Sequence, residues 1–182
     1  MGTPLITKKR IAKSFKQLFL TQEFEKISVQ KIMAGAGIRR QTFYNHFLDK
    51  YQLLEWIFQT DLKEQITDNL EYISGWQLLE ELLTFFLRNK TFYRKAFEIV
   101  DQNNFTSYFE YYAKQLITKL DAEYGQRTFS SEDAYNFYIH YHSQALVSSI
   151  KHLLTLQDTD YHREMIFLTQ LLKNNITKKE LL

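Results

Sequence analysis

The chain of 182 residues carries no Cys, one Pro and five Gly, which excludes disulfides and thiolate metal sites and leaves too few breakers for an all-β fold. Net charge is only +2, yet residues 1–50 hold ten Lys or Arg against three Asp or Glu, and residues 51–182 hold thirteen against eighteen. A head of charge +7 on a body of charge −5 points to a polyanionic partner for the head. No run approaches the ~18 apolar residues of a membrane span, and the first fifteen residues lack the apolar stretch of a secretory signal, so a cytoplasmic protein without a membrane partner is expected.

Helical spacing begins near the N-terminus. Ile11, Ala12, Phe15, Leu18 and Phe19 recur on one face and predict a helix over 7–21. Ser28 is placed to cap a second helix whose apolar stripe is Val29, Ile32, Met33 and Ala36. Gly37 stands where a left-handed residue commonly closes a helix. Gly35, inside the same helix, is expected to cost ~1 kcal/mol relative to Ala. Ile38 fills the turn, and a third helix is predicted from Arg39 to Phe47, with Phe43 and Phe47 inward and Arg40, Gln41, Thr42, Tyr44 and Asn45 outward. Two short helices joined by a tight Gly turn form the helix-turn-helix layout, whose second helix enters the major groove of DNA. A long helix over 50–72 follows with no linker, and further helices are predicted at 76–89, 91–101, 105–124, 131–156 and 161–176. Breaks are expected at Ser74–Gly75, near Asn103–Asn104, at Gly125 and around Asp158–Asp160. The expected fold class is all-α: a three-helix head over residues 1–48 and a helical regulatory and dimerisation body over 49–182.

The segment from Gly37 to Lys50 resembles the recognition segment of the tetracycline-repressor family. The likeness rests on Thr42, Phe43, Tyr44, His46, Phe47, Asp49 and Lys50, with Tyr51–Leu54 opening the next helix, and it covers roughly residues 7–56. Two departures stand out: Arg39 occupies a position where the family often has a capping residue, and Gln22–Phe24 replaces a common turn Gly. The resemblance implies a homodimer that binds double-stranded operator DNA and regulates transcription. Arg40 and Gln41 fall at base-reading positions, Arg suiting guanine edges and Gln adenine edges. Thr42 is expected at a thymine methyl or a phosphate, and Tyr44, His46 and Lys50 at phosphates, with Ser28, Arg39 and Asn45 completing the surface. The short aromatic body is also similar to that of family members that activate dihydroxyacetone kinase operons, which would imply activation and a protein co-activator as effector.

Two aromatic stretches in the body, with Tyr108, Tyr111 and Tyr112 in one and Tyr138 and Tyr141 in the other, suggest an effector pocket or else plain bundle core. With only Glu110 and His140 interrupting them, these stretches favour a mostly apolar, aromatic-friendly ligand or a protein partner over a highly polar metabolite. The last two helices look apolar on more than one face, as the dimer interface of the family would require. The five His include no pair at helical metal spacing, and no phosphate loop, nucleophile elbow or paired-carboxylate pattern is present, so no catalytic residue, metal or cofactor is expected. The alternative reading is a helical protein-interaction module whose head no longer binds DNA.

Overall fold

The computed structural model describes residues 4–99 and 103–177, which form nine α-helices and no strand. They are α1 (Pro4–Thr21), α2 (Val29–Ala36), α3 (Gln41–Tyr44), α4 (Lys50–Gln65), α5 (Gly75–Arg88), α6 (Lys90–Phe97), α7 (Asn103–Tyr124), α8 (Glu132–Leu153) and α9 (Asp158–Thr177), with single 3-10 turns at Phe24–Lys26 and Thr67–Asn69. The all-α architecture matches the sequence expectation. Several helix starts follow from side-chain caps: Ser28, Asp49, Ser74 and Ser131 each accept a backbone N–H from the first turn of α2, α4, α5 and α8.

Several helix boundaries differ from the periodicity. The helix expected over 50–72 stops at Gln65, because Asn69 turns back and its amide donates to Glu64 O at 2.8 Å, satisfying a carbonyl that continued helix would have used. α9 starts at Asp158, inside an expected break, since Asp158 and Asp160 suit the positive end of a helix. The break expected near Asn103–Asn104 does not fall there: both residues belong to α7, and α6 ends at Phe97; the last two residues of the expected helix over 91–101 lie outside the described residues.

α1 packs across α2, and α4 runs out of this head to lie against α5 and α7. α7 and α8 form an antiparallel hairpin, with Lys151 Nζ reaching Thr106 Oγ1 at 2.6 Å near its open end. α9 returns over α5, α7 and α8, pinned where the buried Tyr161 hydroxyl donates to Leu83 O at 2.7 Å. One apolar cluster runs without interruption from Ile11 and Phe15 in the head through Leu54, Ile57 and Phe58 of α4 to Leu116, Leu146 and Leu172 in the body. Head and body thus share a core, and a shift of α4 is felt in both.

Candidate nucleic-acid interface

The head is built so that α2 and α3 are held at a fixed angle. Gly37 takes the left-handed conformation (φ 64°), and the N–H of Ile38 returns to Met33 O at 3.1 Å, closing α2 in the way its sequence position suggested. Arg10 from α1 adds a donor at 2.8 Å to Ala36 O, another carbonyl at that helix end. Ser14, buried on α1, donates to Ile32 O at 2.6 Å. This contact explains Gly35: a Cβ there would lie 2.4 Å from Ser14 Oγ, so the glycine is the clearance for the α1–α2 crossing.

α3 is shorter than expected. Only Gln41–Tyr44 is α-helical, and tighter turns flank it: the N–H groups of Thr42 and Phe43 bond back three residues to Arg39 and Arg40, and His46 bonds back to Phe43. The uncapped start fits the sequence, since Arg40 offers the first turn no side-chain acceptor. What fixes α3 is its inner face. Phe43 and Phe47 are fully buried, their rings 5.6 Å apart, and Phe47 meets Trp56 of α4 at 5.8 Å. Lys8 of α1 sets its ammonium over both rings, 5.1 Å from Phe47 and 5.5 Å from Trp56, a contact with no signature in the local pattern. Outward, Arg39, Arg40, Gln41, Tyr44 and Asn45 are exposed, and Thr42 and His46 half-buried. Among the described residues neither arginine is tied up in an ion pair.

Two expected site residues have local structural partners here. Ser28 accepts from Lys31 N at 3.3 Å as the cap of α2. Lys50, expected at a phosphate, is turned inward: its ammonium donates to Phe24 O at 2.8 Å and Glu25 O at 3.3 Å and lies 4.3 Å from the centre of the Phe24 ring. The 3-10 turn between α1 and α2 offers the ammonium the Phe24 carbonyl, which also accepts from Ile27 N at 3.1 Å, the Glu25 carbonyl and the Glu25 carboxylate at 3.6 Å, beside a buried aromatic face.

A polar knot joins this head to the body. Asp61 of α4 accepts from Lys16 of α1 at 2.6 Å and, by a very short bond, from the hydroxyl of Tyr93 of α6. Tyr93 is buried, and burial together with the Asp61 carboxylate pushes its hydroxyl pKa well up, so it stays a donor. Lys95, half a turn on, donates to Phe19 O and Leu20 O at 3.0 and 3.1 Å, capping the C-terminus of α1. Lys9 and Glu64 pair at 2.9 Å further along the α1–α4 seam. These partners lie 32 to 76 residues apart in sequence, beyond any periodicity.

The five tyrosines proposed as an effector lining do not come together. Tyr108 sits against Glu55 of α4, Tyr111 is exposed, and Tyr112 is half-buried beside it at 5.2 Å. Tyr138 is buried at the far end of the α7–α8 hairpin, between Phe129 and His142, and Tyr141 is exposed on the outer face of α8. The reason is geometric: the hairpin is antiparallel, so the start of α7 and the start of α8 lie at opposite ends. That outer face of α8 carries Phe137, Tyr141, Ala145 and Ser148, and α9 beside it exposes Ile166, Phe167 and Leu171, each at least half accessible among its large apolar members.

Residues 15–57 match the family described as bacterial regulatory proteins, tetR family, and residues 76–175, more than half of the chain, match a TetR-type transcriptional regulator C-terminal region. A dhaKLM operon transcriptional activator of helix-turn-helix type, DhaS from Lactococcus lactis subsp. lactis (strain IL1403), is 47% identical over 104 residues, which is 57% of this chain and 54% of the relative. A helix-turn-helix transcriptional regulator from Staphylococcus aureus (strain MRSA252) is 28% identical over 53% of this chain and 55% of its own length. Each of these alignments therefore spans about half of the relative. Among solved structures, that of the dihydroxyacetone kinase operon activator DhaS superposes with a TM-score of 0.79 at 32% identity, covering 94% of this chain and 97% of the other. A TetR-type regulator from Shewanella sp. PV-4 shares the fold, with a TM-score of 0.66 at 20% identity over 95% and 99% of the two chains. With both its head and its body matched, the chain belongs to the TetR family of bacterial transcription regulators.

Proposed function

We propose that the protein is a homodimeric activator of a dihydroxyacetone kinase operon, reading double-stranded operator DNA with its head, residues 1–48, under control of an effector acting on the body, residues 49–182. The activator assignment is taken from the relatives named above. The observation that carries DNA reading is the polar face Arg39, Arg40, Gln41, Tyr44 and Asn45, raised on the buried Phe43 and Phe47 with both arginines unpaired. Arg40 and Gln41 would read base edges, and Thr42, Tyr44 and His46 would contact backbone or methyl groups. Lys50 would act indirectly, by fixing the turn before α2 while the start of α4 faces a phosphate. The apolar outer face of α8 and α9 supports the dimer, because exposed Phe137, Ile166, Phe167 and Leu171 on adjoining helices would otherwise face water. Two heads then address half-sites ~34 Å apart, one helical turn, and a change of a few ångströms in their spacing breaks the fit. The Lys16–Asp61–Tyr93 knot is the route by which body motion reaches α1.

Selection of bound DNA from random sequence tests the reading. The full chain should enrich a two-fold symmetric site and lose affinity steeply with salt. Arg40→Ala or Gln41→Ala should relax preference at particular base pairs by ~1–3 kcal/mol each. No enrichment at moderate salt would reject DNA reading and leave a helical interaction module.

A further inference from the structure

Among the described residues, three buried side-chain polar atoms have no hydrogen-bond partner: Asp121 Oδ1, Arg127 Nε and Tyr138 Oη. All three belong to one corner, where α7 ends, the connecting loop turns, and α8 begins. The Arg127 guanidinium lies 5.7 Å from the centre of the Tyr138 ring. Asp121 and Arg127 act on each other electrostatically and both act on Tyr138, while burial raises the Asp121 carboxyl and the Tyr138 hydroxyl. Phe129 of the loop packs on Tyr135 at 5.2 Å and Tyr138 at 5.0 Å, and His142, one turn along α8, meets Tyr138 at 4.5 Å. Gly125 permits the tight exit from α7, since a Cβ there would lie 2.4 Å from both the carbonyl and the carboxylate oxygen of Asp121.

An unpaired buried polar group costs ~1–3 kcal/mol, and three in one corner call for an occupant that supplies the missing bonds. The atoms specify its chemistry. Arg127 Nε–H needs an acceptor, the Asp121 oxygen needs a donor, and Tyr138 Oη takes either. The opposite charges of Asp121 and Arg127 offset one another, so a net charge on the occupant would be left unbalanced. Aromatic walls on two sides favour C–H faces. A short carbon chain with adjacent hydroxyls meets all of these demands. We propose that the α7–α8 corner is a binding site for a small neutral polyhydroxylated molecule held by Asp121, Arg127 and Tyr138. This reverses the apolar-ligand expectation: the aromatic stretches hold few polar partners themselves, but folding brings Asp121 and Arg127 to them from outside. Tyr138 is only 8% accessible, so occupancy requires the loop carrying Phe129 to open. His142 also touches Tyr141 at 5.2 Å, which places the site one side chain behind the outer face of α8. The signalling role rests on the effector control proposed above; the binding itself does not.

Calorimetric titration of the full chain, without DNA, with glycerol and erythritol tests this independently of the head. Saturable binding is expected for at least one, weakened tenfold or more by Tyr138→Phe and by Asp121→Asn. Tyr138→Phe without ligand should melt no lower than the parent protein, because the hydroxyl it removes has no partner. Absence of saturable binding overturns the proposal. So does stabilisation that rises linearly with polyol in parent and variants alike, or a crystal grown in glycerol with water alone bridging the three groups.

Discussion

Gly35→Ala separates helix propensity from tertiary packing, because the two predict opposite signs. Position 35 is exposed and lies in the last turn of α2, one residue before its end, so propensity alone predicts a gain of up to ~1 kcal/mol on replacement by Ala. The new Cβ, however, would lie 2.4 Å from Ser14 Oγ. Ser14 is only 3% accessible and its hydroxyl is bonded to Ile32 O at 2.6 Å. Rotating the hydroxyl away leaves a buried polar group unpaired, costing ~1–3 kcal/mol. Net of the propensity gain, Gly35→Ala should therefore lose up to ~2 kcal/mol, a fall in Tm of several degrees at ~2–4 °C per kcal/mol for a chain of this size. Ser14→Ala removes the offending oxygen, and its Cβ would sit at an ordinary 3.5 Å from the new methyl group. In that background Gly35→Ala should become stabilising. The pair is thus coupled by ~1–3 kcal/mol in a double-mutant cycle followed by thermal or urea unfolding. A stabilising Gly35→Ala in the parent protein, or additive single effects, would refute the reasoning.

Three further outcomes are expected. Asp61→Ala strips the buried Tyr93 hydroxyl of its acceptor and Lys16 of its partner, so it should lower stability more than Tyr93→Phe, which removes one hydroxyl at ~1 kcal/mol; equal losses in urea unfolding would contradict the knot. Phe167→Glu, on a side chain 51% exposed, should keep helical circular dichroism but sediment as a monomer at micromolar concentration; an unchanged dimer would exclude the α8–α9 face. His142 has its pKa lowered, mainly by burial and next by Arg127, from a reference of 6.5. The unfolded chain then binds the proton more readily, so this contribution to stability is full above pH ~6.5 and falls as pH drops below it. Melting curves from pH 7.5 to 5 should show a shallower acid loss for His142→Gln, and identical slopes would remove His142 from the account.

Much of the head was legible because its signals are local. The Ser28 cap, the left-handed Gly37 and the Phe43–Phe47 inner face are each defined within four residues of their partners, and the structure has all three. The Thr42–Lys50 pattern sufficed for the family. The all-α class followed from apolar spacing and scarce breakers, since both are properties of a chain segment taken alone. Helix ends were less legible: α4 stops at Gln65 because Asn69 folds back on its carbonyls, a choice periodicity does not encode.

What the tertiary structure alone decided is where long side chains go. Lys50 could face a phosphate or the carbonyls of Phe24 and Glu25, and only the position of that turn, more than twenty residues upstream, selects the carbonyls. Gly35 read as a propensity defect until Ser14 was beside it. The tyrosines looked like one cluster in composition, yet an antiparallel hairpin put Tyr108 and Tyr138 at opposite ends and brought Asp121 and Arg127 to the latter. Sequence by itself determined the helices, the buried stripes and the head motif, because each depends on neighbours a few residues away. The packing of those helices determined the knot at Asp61 and the polar corner at Tyr138, because a buried charge or hydroxyl is defined by partners that the chain supplies only after it has folded.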